Sequence, residues 1–258
     1  MTSVLTRIEG DVAVLLLNEP ATHHALSRRL IAGLHRALDQ PDVMAARAVV
    51  IGSVGPYFCA GANLNDLLDG WLDGSEPETD PVRFFERLAH DTRPTIAAVG
   101  GGALGGGFEL ALSCDLTVVS DTAWFSLPEL RHGVIPNTAL MRLQQMIGLR
   151  QMMYAVMTGE RISSERAVAL GIANERVPSD EVNAAVALAT RIVMRVSPGA
   201  LSVAKRYAQE HGNSNWPAVH QSLQDVPAAE SEEGVASFVQ KRKADYSSFW
   251  DRRNALTD

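Results

Sequence analysis

Apolar and polar positions divide the chain into recognisable elements from its first residues. Val4 to Ile8 and Val12 to Leu17 are β-type runs separated by Glu9-Gly10-Asp11, the pattern of a hairpin. Behind Ser27, a residue suited to an N-cap, Leu30, Leu34 and Leu38 recur every four positions and predict an amphipathic helix. Ala48 to Ile51 reads as a buried strand, Gly52 to Ala62 as a loop, and a short helix is expected near Asn63. Gly70 to Pro81 is acidic, rich in Gly and Pro, and unpatterned. It reads as a solvated surface loop, with a lid over a site as its functional alternative. Val82 to Asp91 is helical in pattern, and Thr95 to Val99 and Asp115 to Val119 are strands. From Thr138 onward the pattern is almost entirely helical, with Ser163 and Asp180 placed as caps, Gly171 as a stop and Pro198 as a first helical residue. A β-rich first half and a helical second half predict an α/β fold with a helical C-terminal part.

The most informative stretch is Thr95 to Glu109, in which a β-branched apolar run ends in Gly100-Gly101-Gly102-Ala103-Leu104-Gly105-Gly106-Gly107 and then opens into Phe108-Glu109-Leu110. This reads as strand, tight turn and helix. Glycine brings no Cβ between backbone and ligand, and the first N–H groups of a helix lack internal partners. Such a helix start receives an oxygen carrying negative charge, and Glu109 can share a face with Gly106 one turn earlier. The run also satisfies G-x-G-x-x-G, the dinucleotide fingerprint. About a hundred residues precede it, however, whereas that fingerprint sits in the first βαβ unit of its domain, so a nicotinamide enzyme is disfavoured.

Bulk properties narrow the classes further. With 258 residues and 46% hydrophobic composition the chain can bury a sizeable core. A net charge of −7 argues against nucleic acid or an acidic membrane surface as a partner. No stretch reaches the roughly 18 uninterrupted apolar residues of a membrane span, and residues 1–20 lack a signal-type apolar core. Two cysteines, Cys59 and Cys114, are too few for a disulfide framework, and a cytoplasmic location is expected. The seven histidines show no ligand spacing, so no metal is expected.

Two further segments join the glycine turn: Tyr57-Phe58-Cys59-Ala60-Gly61-Ala62-Asn63-Leu64, and Phe125-Ser126-Leu127-Pro128-Glu129, whose carboxylate lies twenty positions after Glu109. Together the three resemble the enoyl-CoA hydratase/isomerase (crotonase) superfamily, with its F-x-A-G-A-D-[IL], G-x-x-x-G-G-G-x-E-[IL] and P-E stretches. The likeness extends through Leu17-Asn18-Glu19-Pro20, Thr158-Gly159-Glu160-Arg161 and Glu233 to Arg242. It implies the crotonase fold, a spiral of ββα units over residues 1–195 followed by a helical trimerisation region over 196–258, assembled as a homotrimer or a dimer of trimers.

By that resemblance the Ala62 and Gly106 N–H groups form an oxyanion hole for the thioester carbonyl of an acyl-CoA substrate. Glu109 is then the base that activates water and Glu129 the donor to the α-carbon, giving an enoyl-CoA hydratase with no separate cofactor. Ala60, Ala62, Asn63, Leu64, Asn65, Gly105 and Gly106 are the implied substrate and CoA contacts, with Arg28 or Lys205 as candidate phosphate partners. A Δ3–Δ2 isomerase is the nearest enzymatic alternative, although it needs only one such base. A non-catalytic CoA- or RNA-binding member is the alternative from another class. Three departures from the pattern stand out: His24 where relatives carry Asn, Asn63 where they carry Asp, and Ile135-Pro136-Asn137-Thr138-Ala139-Leu140 in place of a glycine-rich stretch. Asn137, Thr138 and Leu140 are therefore expected to re-line the acyl pocket.

Overall fold

The computed structural model describes residues 2–68, 71, 76–210 and 227–254. Strands β1 (Val4–Glu9) and β2 (Val12–Leu17) form the expected hairpin, with Val4 opposite Leu17 and Glu9 opposite Val12. Strand β3 (Ala48–Ser53) then pairs in parallel with β2. The chain next makes β4 (Tyr57–Cys59), β5 (Thr95–Val99), β6 (Gly102–Leu104), β7 (Leu116–Ser120), β8 (Trp124–Ser126), β9 (Ile162–Ser163) and β10 (Glu175–Val177). These strands build a six-stranded sheet in the order β1-β2-β3-β5-β7-β10 and a four-stranded sheet in the order β4-β6-β8-β9. Each passage from β3 to β4, from β5 to β6 and from β7 to β8 leaves the large sheet for the small one. After β4 and β6 helical segments return the chain to the large sheet, and after β8 it passes through β9 of the small sheet before returning to β10, which makes the turns of the spiral.

The helices are α1 (Arg28–Leu38), α2 (Pro41–Ala45), α3 (Leu64–Leu68), α4 (Pro81–His90), α5 (Gly106–Ser113), α6 (Asn137–Thr158), α7 (Ser164–Ala169) and α8 (Glu181–Val193). They continue with α9 (Pro198–Glu210), α10 (Ala228–Val239) and α11 (Ser247–Asn254). Ser27 and Ser163 cap α1 and α7 through their side chains, as their positions predict. Asp180 stands before α8 but does not cap it. Its φ is 63°, and its carboxylate accepts from the side-chain amide of Asn183 in the first turn of α8 instead of from a backbone N–H.

Two apolar clusters hold the layers. One fills the space between the sheets and α1, α4 and α5, with Leu30, Phe58, Phe84, Phe108 and Phe125 fully buried. The other packs α8 on the opposite face of the large sheet through Ala185, Ala189 and Val193, and Trp250 of α11 enters it at 1% exposure. The C-terminal segment thus contributes to its own subunit's core.

Two expectations need correction. The stretch read as a loop from Gly52 to Ala62 contains β4, because Phe58 and Cys59 are fully buried and the short strand pairs with β6 beside the glycine turn. The acidic stretch is not simply a solvated loop. Trp71 is buried, donates its indole N–H to Thr79 O at 2.9 Å and packs in the first cluster. Residues 70 and 72–75 of that stretch lie outside the described residues.

Lys205 is also not free to meet a phosphate. Its ammonium, 10% exposed, donates to Asp115 Oδ2 at 2.6 Å and to Arg93 O at 2.7 Å, while the same carboxylate oxygen accepts from Thr95 N–H and Oγ1. The pair ties α9 to β5 and β7. Removing Asp115 leaves a buried ammonium without its counter-charge, a loss of about 3 kcal/mol. Asp115→Ala is therefore expected to lower Tm by roughly 8 °C, as read by differential scanning calorimetry.

Candidate active site

The glycine turn is built by close approach. A Cβ at Gly101 would lie 1.8 Å from Pro56 O, and one at Gly107 would lie 2.3 Å from Cys59 O, so β4 rests directly on the backbone leading into α5. Gly105 adopts φ 50°, ψ −125°, a region open to glycine, and a Cβ there would meet Glu129 Oε1 at 2.7 Å. The turn therefore delivers α5 and at the same time leaves room for the second carboxyl group.

Across from α5, the segment after β4 is held by Leu26, whose N–H donates to Gly61 O and whose carbonyl accepts from Asn63 N–H, both at 2.7 Å. This bridging leaves the Ala62 N–H between the two bonds without a protein acceptor among the described residues, as is the Gly106 N–H in the first turn of α5. The two are neighbours, since an ideal Cβ on Gly106 would stand 3.7 Å from Ala62 N. Two uncommitted N–H groups facing one space can bind a single oxygen bearing negative charge.

The other implied contacts are arranged differently. The N–H of Ala60 donates to His23 O, that of Gly105 to Ser126 O and that of Asn65 to Asn63 Oδ1. Among Ala60, Ala62, Asn63 and Asn65, only Ala62 keeps its N–H uncommitted. Leu64 opens α3, and its side chain lies outside the described residues. Asn63 takes over the capping task of an aspartate, accepting from Asn65 N–H at 3.0 Å and approaching Asp66 N–H at 3.4 Å. Arg28 pairs with Asp66 and Glu76 at the edge of this segment.

His24 is 1% exposed and uses both ring nitrogens: Nδ1 accepts from Glu19 N–H at 2.9 Å and Nε2 lies 2.7 Å from Val54 O. The imidazole is thus neutral, with its proton on Nε2, and burial lowers its pKa. Its φ of 56° explains why the position suits histidine or asparagine, residues that tolerate the left-handed region.

Glu109 is 7% exposed, and its Oε1 accepts from Ala139 N–H at 3.0 Å. Burial raises its pKa, and the N–H groups of Ala139 and Thr138 work against that rise. The departure from a glycine-rich stretch therefore has a structural meaning. Pro136 and Asn137 start α6 early, and the first turn of that helix points its orphan donors at Glu109. Sequence reasoning missed this contact, although the onset of helical pattern at Thr138 was its visible trace. Asn137 is exposed and turns back onto the Thr138 N–H, Thr138 is buried beside Glu109, and Leu140 packs half-buried against the core.

Glu129 faces the same space from the 3-10 turn after Pro128. Both its oxygens are buried without a hydrogen-bond partner among the described residues. Burial pushes its pKa up to about 7. Its own backbone N–H, which stops short of a hydrogen bond, offsets part of this, and the Glu109 charge adds to it. Arg131 donates to Thr158 O and so anchors the turn that carries this carboxyl group. One carboxyl group is held by helix N–H donors and the other is unpartnered, so the donors favour ionisation of Glu109 over that of Glu129.

A ββα spiral with paired N–H donors at a glycine-built helix start defines the crotonase class of fold. The chain belongs to the enoyl-CoA hydratase/isomerase family, whose sequence profile matches residues 7–249. It is 34% identical over 255 residues to the 2,3-dehydroadipyl-CoA hydratase of Escherichia coli, covering 95% of this chain and 99% of that one. It is 31% identical to a probable enoyl-CoA hydratase of Rhizobium meliloti over 95% of this chain and 97% of that one. Among solved structures it superposes on an enoyl-CoA hydratase from Mycobacterium tuberculosis with a TM-score of 0.82 at 30% identity, covering 95% of this chain and 98% of that one.

Proposed function

We propose that the protein is a 2-enoyl-CoA hydratase that adds water across the double bond conjugated to the thioester, giving a 3-hydroxyacyl-CoA. The observation that carries this reading is the asymmetric carboxyl pair. Glu109 accepts from the start of α6, and Glu129 stands unpartnered across the space bounded by the Ala62 and Gly106 N–H groups. Water addition needs these parts together. The thioester oxygen gains enolate charge and is held by the two N–H groups. Ionised Glu109 takes a proton from water as its oxygen bonds to C3, and protonated Glu129 delivers a proton to C2. The pair then resets by proton exchange with solvent. Retention of both carboxyl groups favours hydration over double-bond migration, which needs only one shuttling base.

Hydration of crotonyl-CoA, followed by loss of enoyl absorbance, tests the reading. Inertness toward short, medium and aromatic enoyl-CoAs alike overturns it. The pH profile gives a sharper check. Glu129 must be protonated to donate, and its pKa is raised to about 7, so the donor is present below that value and lost above it. On the alkaline side kcat/KM is expected to fall about tenfold per pH unit from near pH 7, and this limb should disappear in Glu129→Gln. The reading includes a homotrimer or hexamer in the cytoplasm. The assembly is supported by exposed apolar side chains on the second half of α6, among them Leu149, Tyr154 and Met157.

A further inference from the structure

Glu129 sits at the edge of an exposed stretch. Leu130 to Ile135 are all exposed, and the chain is buried again only at Pro136. The 3-10 turn Glu129–His132 closes on itself: Arg131 N–H donates to Pro128 O at 3.0 Å, Gly133 N–H to Leu130 O at 3.3 Å and Val134 N–H to Glu129 O at 3.2 Å. These bonds fix the shape of the turn and leave its placement against the rest of the protein to other contacts.

Those contacts come from the end of α6. Before Glu129, the buried Ser126 hydroxyl donates to Gly159 O at 2.9 Å. Gly159 ends α6 at φ 57°, and a Cβ there would lie 3.2 Å from Pro128 Cα, so the helix end rests on the backbone beside Glu129. After Glu129, Arg131 Nη2 donates to Thr158 O. Carbonyls at a helix C-terminus lack internal partners, and a cation meets the negative end of the helix there. The first turn of α6 holds Glu109 through Ala139 N–H, and the helix is broken between its two ends at Gly148, with φ 76° and ψ 160°. One segment of α6 thus serves each carboxyl group.

Arg131 acts on Glu129 through geometry rather than charge. The charge that bears on Glu129 is that of Glu109 across the site. Glu160 and Arg161, which follow α6, are engaged by the Tyr154 hydroxyl and the Trp124 ring, and His132 on the same turn is exposed. Without the Arg131 tether, Glu129 is held on one side only and borders a stretch open to water. Its carboxyl group then loses part of the burial that keeps it protonated near neutral pH.

We propose that Arg131 is a positioning residue for Glu129: its bond to the end of α6 holds that carboxyl group in the buried space opposite Glu109, from which it delivers its proton to C2. The role rests on the hydratase reading for the proton that is delivered.

The test compares the full chain as wild type, Arg131→Ala and Arg131→Lys, with matched melting curves. Hydration of crotonyl-CoA gives kcat, KM and the pH profile. An infrared titration of the protonated carboxyl C=O band, assigned by its loss in Glu129→Gln, reads the protonation of Glu129 without turnover. Arg131→Ala is expected to lower kcat by about ten- to a hundredfold with KM little changed, the scale of a misplaced catalytic group. The alkaline limb and the infrared midpoint should move together to lower pH by about one unit, because a carboxyl group that gains water ionises more readily. Arg131→Lys keeps a cation at the helix end and should recover most of kcat and of the midpoint. An infrared titration of Arg131→Ala that coincides with wild type overturns the role whatever the rates. So does a lysine variant no nearer to wild type than the alanine variant. If wild type hydrates no enoyl-CoA, yet the infrared midpoint shifts in Arg131→Ala and returns in Arg131→Lys, the hydratase reading falls and the placement of Glu129 by Arg131 stands.

Discussion

Glu109→Gln lowers kcat for crotonyl-CoA hydration by about 10³-fold, and Glu129→Gln does the same, within the range that positioned acid–base groups contribute. Glutamine is nearly isosteric at both sites. At 109 its amide oxygen can still accept from Ala139 N–H, so the start of α6 keeps its partner and the fold is undisturbed. At 129 the neutral amide replaces a carboxyl group that is itself largely neutral below pH 7. What each variant loses is the proton-transfer function alone. The double variant should be little worse than either single one, because residues that act as a unit are not additive. Stopped assays of hydration with matched melting curves check this. A fall of less than about tenfold in either single variant, with the fold intact, removes that glutamate from the mechanism.

The second large effect concerns a donor that no side chain supplies. Gly106 is the first helical residue of α5, a position where proline is tolerated because its missing N–H has no helical partner. Gly106→Pro thus deletes one oxyanion donor while sparing the helix. A substituent at Gly106 would approach Leu26 Cδ1 at 3.0 Å, the end of a side chain that can rotate aside. The variant is expected to lose about 10²- to 10³-fold in kcat, the measured scale for removing one such donor. The proline Cδ also stands where the N–H pointed and crowds the carbonyl oxygen, so binding of a saturated acyl-CoA should weaken as well, though by less than kcat/KM, because the ground-state carbonyl carries less charge than the enolate. Equal losses in binding and in kcat/KM would mean that the substitution acts by crowding the substrate and not through the lost donor.

Much of this was legible in the sequence because the decisive steps are local. Ser27 and Ser163 announce their helices by a side chain next to the N–H it caps, and the two β-type runs around Glu9-Gly10-Asp11 need no distant partner to be read as a hairpin. The glycines from Gly100 to Gly107 are legible for the same reason, since a run of that kind has few structural uses. What escaped was tertiary. Nothing in Tyr57-Phe58-Cys59 says strand until β6 lies beside it. Lys205 looked available for phosphate because its partners, Asp115 and Arg93 O, lie about 90 and 112 positions away. The contact from Ala139 to Glu109 was hidden because a backbone N–H leaves no mark in a sequence.

The unpartnered carboxyl group of Glu129 has a consequence for how this protein can change. A raised pKa means that ionising the group works against folding, most fully at pH values above about 7. The folded state would gain from almost any apolar residue of similar size there, while the reaction would be lost. Selection for robustness and selection for turnover thus pull in opposite directions at this one position. A lineage released from the need to hydrate would be expected to drop Glu129 before it altered the glycine turn, which the backbone of β4 cannot do without.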